Sequence, residues 1–321
     1  MLKKLSYLLP ALLLLSGCGN RSGDESGRII YTIATLKGPS AMGMIRMIDS
    51  LNHGTGHSLE VKILNEPMQV RKMMLDGSAD FAILPTTMAA IMYNKGLKYQ
   101  LIGIPVWGTL YLAGSDAGVT RWEDLKGKRI YVMARGMTPD VMFRYLLGKN
   151  RIDPDKDVTL DYSFPTHIDL ANAVAAGKAG LGIISEPLAS LVTRRNKDIR
   201  LIFSLEKEWN KFDNIAIAET AFLGKETVIH NDRNTVKNIV SAYSFSTRWV
   251  NQHPDSAAAL IVKYGILPDP ETAINAIPRS NLKFVRAEEV RKEIGDYLNV
   301  FYKLNPDIVG GKMPDENFIY R

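Results

Sequence analysis

Along the chain, short runs of apolar and β-branched residues alternate with stretches whose apolar positions recur at helical spacing. The strand-like runs cover 29–36, 59–64, 81–84 and 101–104, and the helical ones cover 41–51, 70–75 and 87–93. Strands alternating with helices predict an α/β unit with a parallel sheet covered on both faces. The series then repeats, with strands at 129–133, 158–162, 181–184 and 199–203 and helices at 140–148, 168–176 and 188–194. An offset of 100 without gaps pairs Ile30-Tyr31 with Ile130-Tyr131, Gly77 with Gly177, Ala79 with Ala179, Ile83 with Ile183, Ala89 with Ala189, and Leu101-Ile102 with Leu201-Ile202. These identities carry weight because they fall at equivalent points of two matching series.

Two similar doubly wound lobes leave a cleft between them, and in open parallel sheets ligands bind beyond the carboxyl ends of the strands. Residues 106–114 read as a strand crossing between the lobes and 214–220 as the return, so the chain has two crossing strands. Helical patterns at 235–252, 256–264 and 287–304 complete the first lobe. The expected organisation is therefore a first lobe from 29–110 plus 215–321 and a second from 111–214.

Ahead of the first strand, Lys3 and Lys4 precede an uncharged stretch at 8–15, followed by Leu15-Ser16-Gly17-Cys18. That stretch is short of the ~20 residues a spanning helix needs, so 1–17 read as a signal peptide. The four residues resemble the bacterial lipobox, which implies acylation of Cys18 and an extracytoplasmic, lipid-anchored product. Residues 18–28 then form a Gly/Ser-rich tether, and cleavage takes the formal charge from +6 to +4. Cys18 is the one cysteine in 321 residues, so the chain has no internal disulfide. With 46% hydrophobic and 23% charged residues, the rest is globular rather than disordered or polytopic. The basic runs Lys126-Gly127-Lys128-Arg129 and Arg194-Arg195-Asn196-Lys197 are short and far apart, which argues against nucleic acid as a partner.

Candidate chemistry gathers where strands lead into helices. Gly38, Pro39 and Ser40 follow the first strand, Thr86 and Thr87 the third, and Gly136-Met137-Thr138-Pro139-Asp140 sets a capping threonine before a proline. Ser185-Glu186-Pro187 repeats that device. Each terminus either caps its own helix or offers free N–H groups and a positive dipole end to an anion. Thr120-Arg121-Trp122-Glu123 and Thr166-His167-Ile168-Asp169 also have capping-box spacing, the first structural. Arg135 is either a bidentate anion partner or a solvated strand end, and Trp107 either a stacking wall or core packing. Glu186 instead suits an amine, an amidine or a ring N–H on the ligand. His53 and His57 flank glycines and have no Cys or E-x-x-H partner, so no metal site is expected. The chain has no G-x-S-x-G, P-loop or G-x-G-x-x-G, so no enzyme class and no cofactor is indicated.

Asp76-Gly77-Ser78-Ala79-Asp80-Phe81-Ala82, Trp122-Glu123-Asp124-Leu125-Lys126-Gly127-Lys128-Arg129-Ile130, Gly182-Ile183-Ile184-Ser185-Glu186-Pro187 and Gly311-Lys312-Met313-Pro314-Asp315 resemble the solute-binding proteins of ABC importers. The branch they resemble binds nitrate, sulfonates and taurine and includes binders of thiamine-pyrimidine precursors. The resemblance implies a type II periplasmic-binding-protein fold that closes on a small solute, a small organic anion or sulfonate in the first instance, and docks as a monomer on an ABC permease and its ATPase. It places Gly38, Pro39, Ser40, Thr86, Thr87, Arg135, Gly136, Met137, Thr138 and Glu186 at the ligand-facing loops, with Trp107 a looser match. Two alternatives stay open: a thiamine-pyrimidine-like heteroaromatic ligand, and a sensor lipoprotein. A related eukaryotic pyrimidine synthase uses a cysteine cluster that this chain lacks.

Overall fold

The computed structural model describes residues 30–53, 59–212 and 215–321. The signal peptide, Cys18, the tether through Arg28 and His57 lie outside the described residues.

The first half builds β1 (Tyr31–Leu36), α1 (Pro39–Gly43), α2 (Ile45–His53), β2 (Leu59–Leu64), α3 (Pro67–Leu75), β3 (Phe81–Pro85), α4 (Thr86–Asn94) and β4 (Tyr99–Val106). The second half builds β5 (Leu110–Gly114), β6 (Arg129–Tyr131), α5 (Thr138–Lys149), β7 (Thr159–Asp161), α6 (His167–Ala175), β8 (Leu181–Ser185), α7 (Leu188–Arg195) and β9 (Arg200–Ser204). The chain then runs through α8 (Leu205–Phe212), β10 (Thr220–Lys225), α9 (Glu226–Asn231), α10 (Arg233–Gln252), α11 (Pro254–Lys263), α12 (Pro270–Ala276), β11 (Leu282–Arg286) and α13 (Arg291–Leu304). One sheet has the order β11-β4-β10-β3-β1-β2 and the other β7-β6-β8-β5-β9. Set side by side, β4-β10-β3-β1-β2 matches β9-β5-β8-β6-β7 strand for strand. The offset of 100 carries Phe81–Pro85 onto Leu181–Ser185, and Gly77 onto Gly177. Those glycines follow α3 and α6 with φ of 77° and 71°, the left-handed turn that ends a helix and that a Cβ disfavours.

The expected all-parallel sheets are corrected to mixed ones. β1 runs parallel to β2 and β3, and β6 to β7 and β8, but β10 is antiparallel to β3 and β4, and β5 to β8 and β9. The cause is the crossing. A strand arriving from the other lobe enters at the cleft, where the parallel strands end, and must run against them. The crossing strand expected over 106–114 is split, with β4 ending at Val106 and β5 starting at Leu110. Within the expected return, residues 215–219 are irregular and β10 starts at Thr220.

Behind the cleft one buried cluster joins both sheets, from Ala34 and Leu84 to Leu112 and Ile183. Trp209 of α8 is its bridge, fully buried, with ring centroids 4.9 Å from Tyr145 and 6.4 Å from Phe301. An indole of ~200 Å² buried at about 25 cal/mol per Å² contributes roughly 5 kcal/mol at most. α13 meets it with Ile294, Tyr297, Leu298 and Phe301, one apolar stripe at helical spacing. The lobes are thus joined behind the cleft, and they meet again where α7 packs on α12, with Arg194 Nη2 2.7 Å from Glu271 Oε2.

Candidate functional site

A cleft of about 910 Å³ lies between the two sheets. From the first sheet, the β1–α1 loop and the start of α1 bring Gly38, Pro39 and Ser40, and the β2–α3 loop and the start of α3 bring Glu66 and Met68. From the second, the β6–α5 loop brings Met133 and Met137, the first residues of α5 and α6 are Thr138 and His167, and the loop before α7 brings Glu186. The crossing segments supply the floor: Val106, Thr109, Leu110, Glu219 and Thr220. This is the carboxyl-end placement that the strand order dictates.

Of the sequence candidates, Gly38, Pro39, Ser40, Met137, Thr138 and Glu186 wall this cleft. Thr87 stands just behind the wall, its hydroxyl 2.8 Å from that of Thr138, and Thr86 is wholly buried with Oγ1 unpartnered. Arg135, Gly136 and Trp107 are not part of the wall. Arg135 is exposed with its guanidinium 5.2 Å from the Tyr162 ring centroid, a cation–π contact that turns it aside. Gly136 is exposed with φ 76°, and its N–H donates to Asp140 Oδ2 at 2.7 Å. The Trp107 indole N–H donates to Lys283 O at 2.7 Å, which holds the ring against the first lobe.

The helix starts also differ from the capping reading. Pro85, Met137 and Pro187, rather than the threonines and serine, stand at the N-cap positions of α4, α5 and α7, without side-chain caps. At α7 an acid takes an N–H group instead. Glu186 Oε2 accepts from Ser190 N at 3.1 Å, and Oε1 from the Ser190 hydroxyl at 3.0 Å. Asp140, in the first turn of α5, takes the Gly136 N–H in the loop before the helix and is held by Arg144 Nε at 3.0 Å and the Tyr162 hydroxyl at 2.7 Å. At α3, Glu66 and Gln69 close a reciprocal capping box. Thr166 does cap α6, accepting from Asp169 N at 3.1 Å.

The acids in the cleft are electrostatically unusual. The Glu186 side chain has no exposed surface, and burial pushes its carboxyl up to about 7, against the pull of the Ser190 bonds and of Arg279, whose Nη1 lies 4.0 Å away. Glu219 accepts the Thr109 hydroxyl on Oε1 at 2.6 Å, while Oε2 has no partner within normal hydrogen-bond geometry, and burial raises its carboxyl against the pull of the Thr109 hydroxyl and of the Thr109 and Gly108 N–H groups. Thr109 links the pair, since its carbonyl accepts from Glu186 N at 2.9 Å. His167 lies 3.2 Å from the Ser185 hydroxyl through Nδ1, and desolvation pushes its ring down to about 4, so it is neutral at physiological pH. Glu66 is raised by partial burial and by Asp169 across the cleft mouth.

Thr109, His167, Glu219 and Thr220 are wall residues that the strand-end reading does not single out. Glu219 had a visible signal, an acid in the otherwise apolar run Ile215-Ala216-Ile217-Ala218.

A family model described as "ABC transporter, phosphonate, periplasmic substrate-binding protein" matches residues 41–237. The Bacillus subtilis binding protein YtlA is 25% identical over 184 residues, 56% of this chain. The chain spans about half the length of that relative, 53%. Among solved structures, an ABC transporter protein from Parabacteroides distasonis is 27% identical with a TM-score of 0.79, over 91% of this chain and 99% of the other. The Escherichia coli aliphatic sulphonate binding protein SsuA matches at 14% identity and a TM-score of 0.70, over 91% and 92% of the two chains. The nitrate-binding protein NrtA of Synechocystis matches at 13% and 0.63, over 88% and 84%. The last two likenesses concern the fold.

Proposed function

The chain belongs to the family of ABC-transporter periplasmic substrate-binding proteins, and from that premise we propose that it captures a small solute between its lobes and hands it to an ABC permease with its ATPase. The observation that carries this is the cleft itself, walled by strand-end loops of both sheets and floored by the two crossing segments. Residues 29–110 with 215–321 act as one lobe and 111–214 as the other, swinging about the crossings. Solute contacts made only when the lobes are together shift the population to the closed form, which the permease recognises. The protein works as a monomer and as a carrier, and leaves its solute chemically unchanged.

It acts outside the cytoplasm, held to a membrane by acyl chains on Cys18. Among the described residues, no helix is long and apolar enough to cross a membrane. Each buried CH₂ contributes about 0.8 kcal/mol, so several acyl chains anchor stably where one binds marginally. The organic-anion and sulfonate readings rest on the family, and the heteroaromatic reading gains no stacking wall from Trp107, whose indole is bonded to Lys283. A sensor lipoprotein would use the same cleft with a different membrane partner.

Native mass spectrometry of protein purified without refolding tests the carrier reading. A retained small molecule is expected, and Met137→Trp, which fills the cleft, should lose it. A chain that never carries one, or that keeps it when the cleft is filled, overturns the reading.

A further inference from the structure

Resting on the carrier reading, we propose that the solute bears a cationic nitrogen head, an ammonium, amidinium or guanidinium, on an aliphatic body, rather than an oxyanion. Three independent features of the cleft point the same way.

The first is the state of the helix starts. An oxyanion would need their free N–H groups and positive dipole ends. Two of those starts already hold the protein's own carboxyl groups, Glu66 at α3 and Glu186 at α7, while Asp140 in the first turn of α5 takes the Gly136 N–H in the loop before it. An incoming phosphonate or sulfonate would meet acids at these two starts.

The second is the balance of unpaired groups. On the floor, Glu219 Oε2 and the Thr220 hydroxyl are buried without a hydrogen-bond partner, and Thr220 is only 8% exposed. Buried polar groups are rarely left so, and both belong to residues that line the cleft floor. A carboxylate can only accept, so its partner must donate. The cations near the cleft are committed or at its edge. Arg195 is exposed and donates to Asn172 Oδ1 at 3.1 Å, Lys37 is exposed, and Arg279 approaches Glu186 from outside the wall and donates to the Ser190 hydroxyl at 3.3 Å. Among the described wall residues no buried cation awaits an anion.

The third is the rest of the wall. Met88, Met133, Met137, Leu110, Leu191 and Ile266 offer methyl and thioether surface, and the described wall includes no Phe, Tyr or Trp. About 910 Å³ is also far more room than an inorganic oxyanion fills. Such a surface suits an aliphatic chain, with the head on the floor between Glu186 and Glu219.

Calorimetric titration of the full chain in detergent with four probes of equal chain length decides this: hexylammonium, hexylguanidinium, hexanesulfonate and hexylphosphonate. The two cations are expected to bind and the two anions not to. Glu219→Gln and Glu186→Gln should each weaken cation binding at least tenfold, with circular dichroism and melting recorded to show that the variants fold. Should Glu219→Gln fail to fold, Thr220→Val, expected to weaken the cations several-fold, serves in its place. Stronger binding of either anion overturns the cationic class while leaving the carrier reading intact. So does unchanged cation affinity in folded glutamine variants. Binding of none of the four also overturns the class, and the retained-solute measurement then judges the carrier reading by itself.

Discussion

The hydroxyls of Thr87 and Thr138 lie 2.8 Å apart in a buried contact between the first turn of α4 and the first turn of α5. One helix follows the first sheet's β3 and the other the second sheet's β6, so the bond ties the lobes together beside the cleft. Both side chains are buried, at 1% and 7% exposure, which keeps water from replacing either partner.

That burial sets an asymmetric outcome for substitution. Thr87→Val or Thr138→Val alone strands the other hydroxyl, at roughly 1–3 kcal/mol, whereas replacing both removes donor and acceptor together. In a double-mutant cycle on chemical unfolding, the double variant should be less destabilised than the sum of the singles, with a coupling of about 1 kcal/mol. Additive losses would show that the hydroxyls do not bond in solution.

Glu186 and His167 make opposed contributions to stability against pH. Glu186 titrates at about 7 in the fold and near 4.5 unfolded. Its raised value means that the fold holds the proton more tightly, so stability is whole below pH 4.5 and falls as pH rises through 7. At 1.36 kcal/mol per pH unit the loss is of order 3 kcal/mol. His167, lowered from 6.5 to about 4, does the reverse: its stability is whole above 6.5 and falls as pH drops through 4. Between 4.5 and 6.5 these two contributions therefore offset each other in the wild type, on top of the fall that the raised Glu66 and Glu219 add. Glu186→Gln should gain stability at pH 8, and its remaining curve should rise from pH 4 to 6.5. His167→Gln should remove the rise and steepen the fall towards pH 7. Thermal melts across pH 4–8 test both, and parallel curves for wild type and variants would refute the assignment.

Gly77 and Gly177 are placed by the repeat and by backbone geometry alike, with φ of 77° and 71°. Alanine in a left-handed turn costs about 1 kcal/mol. A Cβ on Gly177 would have open space, while one on Gly77 would stand 3.3 Å from the movable Lys225 Nζ. Gly177→Ala therefore reports backbone strain alone, and Gly77→Ala should cost about the same. A melting temperature unchanged in Gly177→Ala would contradict the strain assignment.

Much of this fold is legible in the sequence because local patterns encode it. The 81–84 and 181–184 runs are continuously apolar, as strands buried on both faces must be, and β3 and β8 form there. The direction of β5 and β10 is not local information. It follows from which side of each sheet the chain re-enters, and that depends on the whole path. The site divides in the same way. Gly38, Thr138 and Glu186 are found because strand-end loops face the cleft, whereas Glu219 reaches the floor from a crossing segment and is bonded to Thr109, 110 positions away.

Arg135 shows where reading by residue type stops. Its sequence position beside Gly136 and Thr138 suits an anion clamp, and a clamp of that kind would lose at least tenfold in affinity on truncation, about 1.4 kcal/mol. The folded chain sends the guanidinium the other way, 5.2 Å from the Tyr162 ring centroid, while Tyr162 donates to Asp140 and so stays fixed. An exposed cation–π contact contributes only about 0.5–1 kcal/mol, which is stability rather than binding energy. Arg135→Ala should therefore leave solute affinity within twofold and lower the unfolding free energy slightly. Titration of the retained solute, once identified, into wild type and variant checks this, and a tenfold loss would return Arg135 to the cleft wall.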